Sequence, residues 1–147
     1  MISRTPHIRV KAILNNSNNE ILFIIVNKND PYSMIKIPVG EVLYNESAES
    51  TAKRIIAEST PYEIEPIAIL GIYSEYDVGG TNHFVTAVFI CIVTEFSAKI
   101  RGINLDVNWL NSNNLSNANL YDDDVRILKD YRDWRINKST YWTSKII

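Results

Sequence analysis

An α/β (α+β) sandwich, in which a mixed β-sheet lies between helices, is the fold class this sequence predicts, and three observations predict it. Short runs of β-branched and other apolar residues recur along the chain between clusters of Asn, Gly and Pro. Two stretches, Ser47 to Thr60 and Tyr121 to Trp134, instead carry apolar residues three and four positions apart, the spacing of a helix with one buried face. Phe84 to Phe96 is apolar almost throughout, which suits a strand covered on both faces at the centre of a sheet. The order strand, strand, strand, helix, several strands, helix then lays the helices over the faces of the sheet. No internal repeat or linker interrupts the 147 residues, so residues 1–147 read as a single domain.

His7 to Leu14 and Ile21 to Val26 are strands, and Asn15 to Glu20 between them supplies polar residues that tolerate turn geometry, which predicts a hairpin. Asn27 to Tyr32 is a loop, and Ile35-Lys36-Ile37 is a short strand that stops at Pro38 and Gly40. At about 100° per residue, Ala48, Ala52, Ile55, Ile56 and Ser59 share one side of the first helix, away from Lys53, Arg54, Ala57 and Glu58. Pro61 ends that helix by driving Thr60 out of the α region. Ile67 to Tyr73 and Phe84 to Phe96 are long strands joined by the loop Asp77 to His83, with Gly79-Gly80 inside it. Leu105 to Leu110 alternates and closes the sheet, with Trp109 in the core. In the last helix Val125, Leu128 and Tyr131, together with Ile127, form the apolar face.

Composition excludes several function classes. Fifteen Lys and Arg against 17 Asp and Glu, a net charge of −2 and no basic run leave no footprint for a phosphate backbone, so nucleic acid is not an expected partner. The apolar runs fall short of the roughly 18 residues of a membrane span, and the first residues lack the apolar stretch of a secretory signal; a cytoplasmic protein is expected. Cys91 sits inside an apolar run and reads as a buried structural thiol. His7 and His83 are far apart in sequence and form neither zinc-ligand spacing nor a nucleophile–base pair. Asp122-Asp123-Asp124, at the start of the last helix, reads as a set of acids that cap it and balance its dipole.

The stretch that carries chemistry is IKIPVGEVLYNESAESTAKRIIAESTPYEI, Ile35 to Ile64. Gly40, five residues, Glu46, seven residues and Arg54 follow one another there, with Pro38 before the glycine, Ser47 after the glutamate and Thr51-Ala52 ahead of the arginine. This spacing resembles the opening of the Nudix box, the loop–helix motif of Nudix hydrolases, and the resemblance extends over roughly residues 7 to 134. In the family the arginine is followed by a run with three glutamates and then a glycine. Here the run reads Arg54-Ile55-Ile56-Ala57-Glu58-Ser59, so Glu58 is kept while Ile55 and Ser59 stand at the other two positions, and Pro61 stands for the glycine. A proline cannot take the left-handed conformation that glycine allows at a helix end, so the turn after the helix must be built differently.

The resemblance implies a pyrophosphohydrolase in which divalent ions, Mg²⁺ or Mn²⁺, neutralise the diphosphate and help to activate water. On this reading Glu58, Arg54 and Glu46 are the catalytic candidates, and Glu58 with the Gly40 carbonyl would hold the metal. Arg54 organises the loop, and Glu46 doubles as an acid near the helix start. The implied ligand is a nucleotide-type small molecule, a nucleoside diphosphate joined to another group. The lost carboxylates set a second reading beside it, a catalytically inactive Nudix-like module that binds a nucleotide or a protein partner. Tyr32, Tyr44, Tyr73, Tyr76 and Phe84 are candidates to stack on a base, and the tail Lys138 to Ile147 is a candidate contact with a dimer mate.

Overall fold

The computed structural model describes residues 5–27, 29–77, 79–96, 106–113, 115 and 118–142. Within them the chain runs β1 (His7–Asn15), β2 (Glu20–Val26), β3 (Met34–Lys36), β4 (Val39–Glu41), α1 (Ala48–Ser59), β5 (Tyr62–Tyr76), β6 (His83–Phe96), β7 (Val107–Asn111), α2 (Asp122–Asn137) and β8 (Tyr141–Trp142). The eight strands form one mixed sheet in the order β3-β2-β1-β6-β5-β8, with β4 also on β1 and β7 also on β2. β1 and β6 are parallel from His7↔Phe84 to Asn15↔Ile92, which makes the apolar β6 central, as its composition predicts.

Period-two alternation sorts the core onto the two faces. Ile13, Phe23, Val88 and Ile90 pack with Ile127, Leu128 and Tyr131 of α2. Their neighbours Ala12, Leu14, Leu22, Phe89 and Cys91 pack with Ala52, Ile55 and Ile56 of α1. Each strand residue thus belongs to the helix on its side, and the sandwich follows from the pleat. The described part of Lys138 to Ile147 folds back on the same chain: Tyr141 is buried, and β8 runs parallel to β5 at Gly71↔Tyr141. Gly71 is needed there because a Cβ would collide with the Tyr141 carbonyl. Residues 143–147 of that tail, and Leu105 of the strand expected over Leu105 to Leu110, lie outside the described residues.

Several expectations are corrected. The hairpin holds at its turn, but β1 and β2 pair only at Asn15↔Ile21 and then diverge, β1 taking β4 and β2 taking β3 and β7. The short strand over Ile35 to Ile37 is β3 and does stop ahead of Pro38, but a strand not expected from the sequence, Val39–Glu41, follows and pairs antiparallel with Arg9–Lys11. β5 begins at Tyr62 rather than Ile67 and tolerates Pro66 by a register shift between Pro66 and Ala68. α2 runs three residues beyond Trp134, with Val125 half-exposed rather than in the core. Trp109 is half-buried, and its indole N–H donates to the Tyr62 hydroxyl at 3.3 Å. Tyr73 is not free to stack on a base, because its ring is buried and its hydroxyl donates to Asp130 at 2.7 Å.

Candidate active site

Two loop devices start α1 and fix the geometry of its neighbours. The Ser47 side chain caps the helix, accepting from the Ser50 N–H at 3.0 Å, and Asn45 takes a left-handed backbone (φ 66) in the turn before it. From the helix, Arg54 reaches back as a fork: Nε donates to Glu46 Oε2 at 2.7 Å, and Nη2 donates to Glu46 Oε1 at 3.0 Å and to the Glu41 carbonyl at 2.7 Å. Glu46 Oε1 also accepts from the Thr51 hydroxyl at 2.6 Å and from the Leu43 N–H at 3.2 Å. The hydrogen bond from Arg54, then that from Thr51, pull the Glu46 carboxyl down to about 2, although burial works against them. Glu46 in turn raises the Arg54 pKa. Arg54 is therefore the organiser of the loop from β4 to α1.

Glu58 is the loosest member of the group. Its side chain is 53% exposed and accepts from Arg54 Nη1 at a long 3.4 Å. Ile55 and Ser59 lie on the core-facing edge of the helix, both buried, and the Ser59 hydroxyl donates back to the Ile55 carbonyl at 2.5 Å. Gly40 is where the strand meets them: a Cβ there would run into Ile55 Cγ2. The helix stops as Pro61 requires, with an extended Thr60 (φ −140) whose hydroxyl bonds to the Ile56 carbonyl at 2.8 Å in place of a left-handed glycine.

On the other face of the sheet, where α2 begins, a cleft of about 260 Å³ is lined by Arg9, Lys11, Lys36, Tyr76, Tyr121 and Asp123 among others. Its floor is a buried ionic network. Lys11 Nζ donates to Glu75 Oε2 and to Asp124 Oδ1, both at 2.7 Å, and Arg9 bonds to Glu75 and Thr86. Burial opposes ionisation of Glu75, but the charge and hydrogen bond of Lys11 outweigh it and hold its carboxyl below the usual range. Asp124 Oδ2 accepts from the Ile37 N–H at 3.0 Å. Asp124 is thus a buried partner of Lys11 rather than a cap; the N-cap position is Tyr121, which makes no side-chain cap bond. Partial burial, with Glu75 and Asp124 nearby, raises the Asp123 carboxyl. Neither the network nor the cleft follows from the sequence pattern, where Lys11 and Glu75 lie far apart and Asp124 reads as one of three acids at a helix start.

Of the aromatic candidates, Tyr76 lines the cleft and stacks on His83 at 4.8 Å, and Phe84 lies beneath the Arg9 guanidinium at 3.9 Å. Tyr32 and Tyr44 are exposed on loops. Burial pushes the Cys91 thiol up to about 12, in keeping with an inert core residue. No helix among the described residues is long and apolar enough to cross a membrane.

The architecture matches solved structures over nearly the whole chain. A NUDIX hydrolase from Nitrosomonas europaea superposes with a TM-score of 0.75 at 16% identity, covering 96% of this chain and 100% of that one. A MutT protein from Methanosarcina mazei Go1 gives a TM-score of 0.70 at 21% identity, covering 95% and 100%. The fold is that of the Nudix superfamily. In sequence, an ADP-ribose pyrophosphatase of Methanocaldococcus jannaschii is 29% identical over 131 residues, 88% of this chain and 75% of that protein. No family model matches the chain.

Of the residues expected from the sequence, Glu46 and Arg54 assemble into one unit with the Glu41 carbonyl at the start of α1, Glu58 stands beside it, and Gly40 meets the helix at Ile55 instead. The donor set does not fit a resident divalent ion. Hard cations take oxygen ligands, yet positions 55 and 59 are turned into the core and Glu46 is committed to Arg54 and Thr51. Among the described residues no group of three or more His, Cys, Asp or Glu is placed to hold a metal ion.

Proposed function

We propose that this chain is a Nudix-type hydrolase that cleaves the pyrophosphate bond of a nucleoside diphosphate linked to another moiety, with weakened or altered dependence on metal. The observation that carries the reading is the Arg54 fork, which ties Glu46 and the Glu41 carbonyl into the loop geometry that the box spacing implies. The similarity to an ADP-ribose pyrophosphatase supports the substrate class and makes ADP-ribose the first compound to test. The cleft between Tyr76 and Tyr121 would take the nucleoside end, with Lys36 and Asp123 as polar contacts on its wall. Glu58, exposed and weakly paired, is the carboxylate left to serve the reaction.

The test is product release from ADP-ribose, sugar nucleotides and nucleoside triphosphates with Mg²⁺ and with Mn²⁺. Turnover is expected, and Glu58→Gln is expected to lower it about a hundredfold, the scale of a positioned acid–base or ligand group. Absence of turnover across the panel from folded protein removes the hydrolase reading. Burial of Ile55 and Ser59 favours a second reading, a catalytically silent binder. That reading expects a nucleotide to raise the melting temperature without metal and without being consumed.

A further inference from the structure

The sharpest structural consequence of the altered run on α1 is the contact between Gly40 and Ile55. Ile55 is only 7% exposed, and its Cγ2 fills the space that a Cβ on Gly40 would need, so hydrocarbon packs directly against the strand at that point. The ladder also claims one of the two lone pairs of the Gly40 carbonyl. Ala12 N–H bonds to the Pro38 carbonyl and Val42 N–H to the Ile8 carbonyl, on either side of the facing pair Val10↔Gly40. In an antiparallel ladder hydrogen-bonded pairs recur at every second residue, which directs the glycine's carbonyl to the Val10 N–H. Glu46 Oε1 accepts from the Leu43 N–H, the Thr51 hydroxyl and Arg54 Nη2, and Oε2 accepts from Arg54 Nε, so both oxygens are turned to the loop and the helix. Ser59 turns its hydroxyl back onto its own helix.

We infer that α1 provides no seat for a resident divalent cation in the free protein, because the Ile55 side chain fills the position beside Gly40 and Arg54 and Thr51 occupy Glu46. The inference rests on α1 being the Nudix-box helix, as in the proposed function, but it does not require turnover.

Titration of Mn²⁺ into the nucleotide-free protein, read from the paramagnetic resonance signal of unbound Mn²⁺, tests it. The expected result is a signal that follows a protein-free control through the millimolar range. The double variant Ile55→Glu with Ser59→Glu restores two carboxylates and is expected to tighten Mn²⁺ binding about tenfold or more, in line with dependence on ligand charge. Saturable uptake of one Mn²⁺ per wild-type chain, abolished by Glu58→Gln, overturns the inference whether or not any nucleotide is hydrolysed. A protein that neither takes up Mn²⁺ nor turns over a nucleotide upholds it while removing the hydrolase reading. Should the double variant fail to fold, the wild-type titration and its Glu58→Gln control decide the matter alone.

Discussion

Gly40 is held to glycine by a neighbour rather than by its backbone, since its φ lies outside the left-handed region that only Gly79 and Gly80 among the described glycines occupy. The neighbour is Ile55, buried against it. Gly40→Ala therefore overpacks the interface between β4 and α1 and is expected to destabilise the fold by about 1–3 kcal/mol. Ile55→Ala removes the Cγ2 methyl that makes the clash, so Gly40→Ala combined with Ile55→Ala should cost less than the sum of the two single variants. Denaturant unfolding of the two single variants and the double variant measures the coupling between the sites. Independent, additive effects would mean that the two residues do not share the contact.

At the scale of elements, α1 was legible from its sequence because Pro61 marks its stop and its apolar stripe matches the buried set Ala52, Ile55, Ile56 and Ser59, while the Ser47 cap emerged only in the structure. Thr51, also buried, escaped because a hydroxyl off the stripe looks exposed until Glu46 is seen to accept from it. β4 and the first part of β5 were illegible for one shared reason. Pro38, Gly40 and Pro66 act as breakers in isolation, whereas the register shift in β5 and the short pairing of β4 with β1 absorb them. The resemblance implied a loop-organising Arg54, but its partner Glu46, eight positions away, was not legible, and the strength of the tie gives it a pH signature. The Glu46 carboxyl falls from an ordinary 4.5 to about 2 on folding, so its contribution is fully present above about pH 4.5 and is lost as pH falls towards 2. Melting temperature followed from pH 6 to about pH 2 should drop more steeply in the wild type than in Glu46→Gln. Parallel curves would show that the tie is absent in solution.

Across the whole molecule, the two faces of the sheet carry different tasks. The α1 face is hydrocarbon up to the Arg54 fork, while the α2 face buries Lys11 and Glu75 with Asp124 beneath a cleft. No local pattern announces that network, because Lys11 is 64 positions from Glu75 and 113 from Asp124, and only the closed sheet brings β1, β5 and α2 together. Such buried ions are poor sources of net stability but expensive to break singly. Asp124 has the widest reach of the three, since one oxygen accepts from Lys11 and the other from the Ile37 N–H, just ahead of the box. Asp124→Ala leaves the Lys11 ammonium with Glu75 alone and the Ile37 N–H without its acceptor. Unfolding in urea is expected to show a loss of about 3–5 kcal/mol, the scale of a broken buried pair. Amide exchange should then quicken at Ile37, and the amides of α1, on the far face, should keep their protection relative to the global stability. A loss under about 1 kcal/mol would place Asp124 among surface pairs instead and detach α2 from the segment that enters the box.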